Sequence, residues 1–179
     1  MKIDAQGMLT GAEYIPSPNC DDRPACPIDL LVIHNISLPP GEFGGDGIRQ
    51  LFTNKLDVAT HPYYQTIVGI KVSAHFLVRR EGRVIQFVPC KKRAWHAGES
   101  CWQDRSRCND FSLGIELEGS DTVPFTDAQY AALNRLTMAL RAAYPICGIA
   151  GHSDISPLRK TDPGPYFDWT RYLVGLCQA

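Results

Sequence analysis

Residues 151–165 read GHSDISPLRKTDPGP, and this stretch places an imidazole, an ammonium and a carboxylate in one short loop. His152 offers a neutral ring nitrogen and Asp162 a hard oxygen, and both groups are ordinary zinc ligands. A third ligand must then come from another part of the chain. The best candidate is His34, which directly follows the apolar run 30–33. This run predicts a buried strand, whose end would carry the His34 side chain to the rim of a sheet.

Three protein ligands would leave one tetrahedral position on zinc for water, whose pKa the ion lowers from about 16 to about 7. An open position of this kind is typical of a catalytic site rather than a structural one. Asp154 is an alternative to Asp162, but its place between His152 and the Ser156-Pro157 pair favours a role in a turn. The remaining histidines are interpreted as packing or hydrogen-bonding residues outside the metal shell: His61, His75 and His96.

The composition indicates a globular protein. The 179 residues are 44% hydrophobic and carry a formal net charge of -1, with acids and bases interspersed, which fits one domain over residues 1–179. No basic field is available to hold a phosphate backbone, so we expect no nucleic-acid partner. The N-terminal residues lack the apolar segment of an export signal and no run is long enough to span a bilayer, so we expect a cytoplasmic protein without membrane contact. Seven cysteines without a C-x-x-C pair are expected to be reduced thiols.

Apolar periodicity and turn residues predict the regular elements. Residues 1–27 are expected to form an extended arm packed on the domain, because 14–27 hold four prolines and little periodicity. Residues 91–107 show no clear period and are expected to be a loop. The predicted strands are 28–34, 72–78, 83–88, 111–118 and 148–151, and the predicted helices are 48–56, 126–144 and 168–176.

Local signals support several of these elements. Gly82 supplies the positive φ that a tight hairpin turn requires between the second and third strands. Thr126 and Gln129 match a capping box, in which each side chain bonds the other residue's backbone N–H, and Pro145 marks the end of that helix. Asp168 can cap the last helix. Strands mixed with helices, with one hairpin junction, predict a single α/β domain with a mixed central β-sheet flanked by helices.

Two further residues complete a candidate hydrolytic site. Glu116 and Glu118 alternate along strand 111–118 and should point to the same face. Near a zinc-activated water, the Glu116 carboxylate could take the water proton and pass it to a leaving amine, although alone it could be a solvated strand residue. Lys160 is either a surface charge or a fixed cation that stabilises an oxyanion. His34, Glu116 and His152 would all lie near strand ends, where α/β sheets commonly build sites.

Six segments together carry a family resemblance: VIHNISLPPGEFGG, SAHFLVRREGRVIQFVP, RAWHAG, RCNDFSLGIELEG, FTDAQY and GHSDISPLRKTDPGP. They resemble the AmpD family, the cytoplasmic zinc amidases of cell-wall recycling in Gram-negative bacteria, and the likeness covers nearly the whole chain. The resemblance implies an amidase-2 fold, related to phage amidase lysozymes and peptidoglycan-recognition proteins. It also implies an anhydro-muropeptide substrate, cleaved between the lactyl group of anhydro-N-acetylmuramic acid and the L-alanine of the stem peptide.

The resemblance also implies roles for particular residues. One Zn²⁺ would be held by His34, His152 and Asp162, with Glu116 as the general base and Lys160 stabilising charge in the transition state. Substrate contacts would fall on Asn35, Tyr63, Ala94, Trp95 and Arg107.

The expected substrate contacts leave alternatives open. Trp95 could offer a flat apolar face or belong to the core, and Arg107 could bind a substrate carboxylate or be a solvated charge. Lys71 stands where the family commonly has arginine, which keeps the charge but loses the bidentate geometry. No exposed apolar stripe requires a partner, so we expect a monomer.

Three other functions compete with this one. A phage-type amidase would act on intact peptidoglycan, but such enzymes typically use cysteine as the third ligand, where this chain has Asp162. A recognition module would bind muropeptide without cutting it and would not need the full set of ligands, base and cation. A thiol protein rests on the cysteine count alone.

Overall fold

The computed structural model describes residues 1–177, which form ten strands, five α-helices and one 3₁₀ turn. In chain order these are β1 (Glu13–Tyr14), β2 (Cys20–Asp22), β3 (Leu30–Ile36), α1 (Gly47–Phe52), α2 (Pro62–Gln65), β4 (Phe76–Val78), β5 (Val84–Gln86), β6 (Lys92–Ala94), β7 (Cys101–Trp102), β8 (Arg105–Ser106), the 3₁₀ turn (Cys108–Asp110), β9 (Ser112–Glu118), α3 (Asp127–Ala143), β10 (Gly148–Gly151), α4 (His152–Ile155) and α5 (Trp169–Cys177).

The predicted mixed sheet is confirmed. Six strands lie in the order β1-β5-β4-β9-β3-β10, in which β4 and β5 form an antiparallel hairpin and the other neighbours are parallel. Gly82 in the hairpin turn has a φ of 84°, as the sequence predicts. The longest strands, β3 and β9, lie side by side in the sheet, and the burial of β3 explains the continuous apolar run at its start.

Helices cover both faces of the sheet. On one face, α3 and α5 pack on the side chains that alternate along β3 and β9, such as Leu31 and Ile115. On the other, α1 and α2 pack on β4 and β5 through residues that include Phe52 and Ile85. The capping box predicted at Thr126 is present, with the Gln129 N–H donating to the Thr126 hydroxyl at 3.1 Å and the Gln129 side chain accepting from the Thr126 N–H at 3.1 Å.

Several boundaries differ from the predictions. The arm is not uniformly irregular, since β1 pairs with β5 and β2 pairs with β6. The expected loop 91–107 contains β6, β7 and β8. β6 pairs with the distant strand β2, whereas β7 and β8 pair with each other across a two-residue turn. Strands of two or three residues are too short to show an apolar period. The helix predicted over 48–56 ends at Phe52, because Asn54 adopts a φ of 57°.

All seven cysteines are free thiols. Within residues 1–177, no helix is long and apolar enough to cross a membrane.

Candidate metal centre and active site

Three ligand-type side chains meet at the carboxyl ends of two neighbouring strands. His34 lies near the end of β3, and His152 directly follows β10, which is parallel to β3 and pairs Gly151 with Ile33. Asp162 comes from the loop after α4. The Ser153 N–H donates to the Asp162 carbonyl at 2.9 Å and closes that loop beside His152.

The donor atoms of these side chains converge on one point. Nδ1 of His34 lies 3.0 Å from Nδ1 of His152, and Oδ2 of Asp162 lies 2.9 Å and 3.1 Å from these two nitrogens. Both imidazoles are buried, and the carboxylate is about one-seventh exposed at 15%. These three side chains, which the sequence selected, form a cluster able to hold a metal ion.

The protonation states fit a metal. Nε2 of His152 donates to the Ala97 carbonyl at 3.1 Å, so in the neutral form of the ring Nδ1 is the unprotonated nitrogen that faces the cluster. Burial lowers the pKa of His34 to about 4, which leaves this imidazole neutral at neutral pH. Burial alone would raise the pKa of Asp162, but the neighbouring imidazoles of His152 and His34 hold that pKa below its ordinary value. Two neutral imidazoles and a carboxylate are a donor set that catalytic zinc accepts.

Glu116 lies beside this cluster. It sits on β9 in register with His34 on β3, and its carboxylate is buried. Its Oε2 has no hydrogen-bond partner among residues 1–177. Burial raises the pKa of Glu116 well above its ordinary value, the nearby charge of Asp162 raises it further, and Lys160 opposes both. A buried carboxyl without a partner and with a displaced pKa is typical of a catalytic acid or base.

Lys160 lies on the loop that carries Asp162. Its backbone N–H donates to the Ser156 carbonyl at 3.0 Å. Its charge lowers the pKa of Glu116, so the ammonium is close enough to act on that carboxyl. Lys160 and Asp162 line an open cavity of about 650 Å³ together with Asn35 and Gly41, which gives a ligand access to this edge of the sheet.

The residues expected to contact substrate fall in different places. Asn35 is next to the metal cluster, but its amide already donates to Oδ1 of Asp121 at 2.7 Å and to the Pro163 carbonyl at 2.9 Å. These two bonds hold the loop around Asp162. Ala94 is fully buried in the core and pairs with Cys20 across β2 and β6, so neither its side chain nor its backbone is open to a ligand, and the expected contact at Ala94 is wrong.

The other expected contacts are on the surface. Tyr63 on α2 is 39% exposed, and Lys71 lines a separate apolar cavity of about 190 Å³. Trp95 is half-buried beside β6. Arg107 is exposed and pairs with Asp110 through Nε at 3.2 Å. Among the described residues, none of these four side chains forms a hydrogen bond with His34, His152 or Asp162.

Sequence reasoning missed His96. Its Nδ1 lies 3.0 Å from Nε2 of His34, so the ring contacts a metal-type ligand instead of only packing or bonding at the surface. Burial lowers the pKa of His96 well below its ordinary value. The predicted loop around this residue gave no period that could have placed it. The one available signal was Gly114, whose missing side chain leaves space on β9 for the ring.

Residues 24–165 match the model of the N-acetylmuramoyl-L-alanine amidase family, Amidase_2. This match covers most of the chain and includes all three cluster residues and Glu116. The chain therefore belongs to the N-acetylmuramoyl-L-alanine amidase family.

Individual relatives show to which group within the family the chain belongs. It is 56% identical over 172 residues to the 1,6-anhydro-N-acetylmuramyl-L-alanine amidase AmpD of Escherichia coli K12, with 94% of each protein covered. The crystal structure of a Se-Met AmpD derivative superposes with a TM-score of 0.95 at 54% identity, covering 98% of this chain and 99% of that one. Within the amidase family, the chain is a member of the AmpD group.

A more distant neighbour was solved with a ligand. The N-acetylmuramyl-L-alanine amidase AmiD from E. coli, in complex with the substrate anhydro-N-acetylmuramic acid-L-Ala-D-gamma-Glu-L-Lys, matches with a TM-score of 0.60 and 31% identity. The match covers 96% of this chain and 62% of AmiD.

Proposed function

We propose that this protein is a zinc-dependent amidase of cell-wall recycling. It hydrolyses the amide bond between anhydro-N-acetylmuramic acid and the L-alanine of the stem peptide. The observation that carries the proposal is the convergence of two imidazole nitrogens and one carboxylate oxygen within 3.1 Å of each other, beside the unpartnered carboxyl of Glu116. The name of the AmpD relative from E. coli and the ligand of AmiD both contain this anhydro sugar joined to L-alanine.

His34, His152 and Asp162 would hold the ion, with one zinc per chain. When bound there, zinc supplies a Lewis acid that polarises the scissile carbonyl and lowers the pKa of water to about 7. The residues of the chain carry out the proton transfers and stabilise charge. Glu116 takes a proton from the attacking water, whose oxygen bonds to the carbonyl carbon of the lactyl group. Glu116 then delivers the proton to the nitrogen of L-alanine as the carbon–nitrogen bond breaks.

The surroundings of Glu116 suit this double role. A carboxyl that must accept and then release a proton near neutral pH works best with a pKa above that of an exposed glutamate. Burial and the charge of Asp162 raise its pKa in this direction. Lys160 places a cation at the same edge of the sheet, where it offsets the negative charge that develops on the carbonyl oxygen.

Substrate binding extends beyond the reacting atoms. We propose that the sugar and stem peptide contact Asn35, Tyr63, Lys71, Trp95 and Arg107. Lys71 would bind a stem-peptide carboxylate through a single charge instead of a guanidinium fork. We also propose that residues 1–179 act as one domain and that the enzyme is a cytoplasmic monomer.

The test compares two substrates by mass spectrometry of the products. Purified protein with a measured zinc content is given an anhydro-muropeptide and, separately, intact sacculi, and His152→Ala serves as the metal-binding control. We expect free stem peptide from the first substrate, little from the second and none with the control. Release mainly from sacculi would favour an amidase of the intact wall, and binding without any product would favour a recognition module.

A further inference from the structure

A second set of hydrogen bonds runs from His34 away from the metal cluster into the protein. It begins at Ser112, a buried residue at the start of β9. The Ser112 hydroxyl lies 2.6 Å from the Cys108 carbonyl, which can only accept, so the hydroxyl hydrogen is committed to that carbonyl. The Ser112 oxygen is then left as an acceptor for its other neighbour.

That neighbour is His96. Its Nε2 lies 3.3 Å from the Ser112 oxygen and must carry a hydrogen to bond it. The ring is 8% exposed, and its nitrogens bond only Ser112 and His34 among residues 1–177. A cationic ring would have no bonded counter-charge there, and burial of an unpaired charge is costly. His96 is therefore a neutral imidazole with its hydrogen on Nε2 and a lone pair on Nδ1.

The lone pair of His96 points at His34. The 3.0 Å separation between Nδ1 of His96 and Nε2 of His34 is a hydrogen bond only if His34 carries its hydrogen on Nε2. The other nitrogen of His34, Nδ1, is then bare and faces His152 and Asp162. We infer that His96 and Ser112 are positioning residues, which hold His34 in the tautomer and orientation that present Nδ1 to the metal. This inference rests on the proposed metal site.

The strand beside His96 is shaped to admit its ring. Ser112, Gly114 and Glu116 alternate along β9 on the face turned away from α3, since Leu113 and Ile115 lie in the core beneath that helix. A Cβ atom on Gly114 would lie 2.4 Å from Cγ of His96, so any side chain at 114 excludes the ring from its place. Glycine at this position is explained by the imidazole that fills the space.

The same short segment also orients the second histidine. The carbonyl of Ala97, the residue after His96, accepts the hydrogen from Nε2 of His152. The side-chain oxygen of Asn109 accepts from the N–H groups of both His96 and Ala97, at 3.2 Å and 2.8 Å, and fixes this backbone. Each imidazole of the cluster thus has its outer nitrogen held by residues 96–97, an arrangement that raises ligand basicity and fixes ring orientation in metal sites.

The direct test is nuclear magnetic resonance of the zinc-loaded protein with ¹⁵N-labelled histidine. We expect a coupling across the hydrogen bond between Nε2 of His34 and Nδ1 of His96, with the hydrogen attached to His34. A hydrogen attached to Nδ1 of His96, or zinc on Nε2 of His34, would overturn the inference. This readout does not depend on turnover.

Zinc affinity, measured by competition with a chromophoric chelator, gives the second test. We expect His96→Leu and Gly114→Ala to weaken zinc binding about 10- to 100-fold, the usual cost of losing such a partner. His96→Asn should restore most of the affinity, because its amide oxygen can replace Nδ1 as the acceptor. Ser112→Ala should weaken binding and also remove the coupling between the two rings.

A matched variant separates positioning from general loss of structure. Ser17 is also buried, and its hydroxyl donates to the Phe52 carbonyl and accepts from the Asn19 N–H. It belongs to a different part of the chain from Ser112 and forms no hydrogen bond with His96 or His34. Ser17→Ala should lower stability without changing zinc affinity or the His34 spectrum. If His96→Leu binds zinc as tightly as wild type, the inference is wrong while the metal site stands. If wild type binds no zinc, the proposed function and this inference fail together.

Discussion

Glu116 and Glu118 lie two residues apart on β9, and both are buried, but their surroundings are opposite. Oε1 of Glu118 accepts from Arg79 at 2.9 Å and from the Gly44 N–H at 2.7 Å, and Oε2 accepts from the Arg80 N–H at 3.2 Å. Oε2 of Glu116 has no partner within residues 1–177. The same residue type on the same strand is therefore fully satisfied in one place and left unsatisfied in the other.

This difference separates a structural carboxylate from a reactive one. Arg79, paired with Glu118, also donates to the carbonyls of Gly44 and Gly45, so the ion pair anchors the loop that follows β3. Glu116 contributes no such anchor, and its buried carboxyl is costly to ionise. Burial alone does not identify a functional glutamate, whereas burial without hydrogen-bond partners, beside a set of metal ligands, does so.

The largest effect on activity is expected from neutralising Glu116. Glu116→Gln keeps the shape of the side chain but cannot take up a proton, so we expect kcat to fall by about 10²- to 10⁴-fold. Zinc should remain bound, because Glu116 is not one of the converging ligands. The measurements are turnover of anhydro-muropeptide and metal content, with His152→Ala as the control that loses both. Near-wild-type turnover by Glu116→Gln would remove the proposed base.

Glu118 should respond in the opposite way. Glu118→Gln leaves the buried guanidinium of Arg79 without its counter-charge, and we expect a loss of about 3–5 kcal/mol in the free energy of unfolding. Turnover per folded, zinc-loaded molecule should change little. Chemical denaturation measures the loss.

The double variant Arg79→Met/Glu118→Leu is the matched control for the ion pair. It replaces both charges with apolar groups and should recover much of the lost stability. A Glu118→Gln variant as stable as wild type would contradict the structural role of this pair.

Alternation along the strand does not by itself separate these two glutamates, because it places both on the same face, and the family resemblance is what identified Glu116 as the base. The features that the sequence did predict depend on interactions between residues that are close together in the chain. The apolar run gave β3 and alternation gave β9. The capping box gave the start of α3, and strand ends placed His34 and His152 near one edge.

The missed features depend on contacts between distant segments. The pairing of β2 with β6 joins Cys20 to Ala94, and the bond from His34 to His96 spans 62 residues. Neither leaves a period or a spacing in the sequence. The partners of Glu118 likewise come from two separate stretches, around Gly44 and Arg79. Which polar groups are satisfied is decided by the assembled fold.

In the metal-free protein, the pH dependence of the free energy of unfolding tests the effect of burial on Glu116. Because burial raises the pKa of Glu116, the folded state keeps a proton that the unfolded state has already released above the ordinary pKa of 4.5. This contribution to stability is therefore lost as pH rises from 4.5 through the raised pKa of Glu116. We expect Glu116→Gln to lose less stability than wild type over this range.

Denaturant unfolding of both proteins after zinc removal measures this difference at each pH. Groups that lie far from Glu116 titrate alike in both proteins and cancel in the comparison. Parallel stability curves for wild type and Glu116→Gln would show that Glu116 titrates as it does in the unfolded chain.

The smallest effect concerns Lys160, the cation that opposes the other influences on Glu116. Its charge lowers the pKa of Glu116, so Lys160→Met should raise that pKa and move the acid limb of the kcat/KM profile to higher pH. We expect a small shift, because solvent screens a partly exposed charge. The plateau rate should also fall, since the oxyanion loses a cation.

Lys160→Arg separates these two effects. It keeps the charge, so the acid limb should stay in place even if the plateau rate changes with the altered geometry. A limb that does not move in Lys160→Met would mean that Lys160 acts on the substrate alone. The ionisation of Glu116 would then be controlled by burial, by the charge of Asp162 and by the bound metal, without a contribution from Lys160.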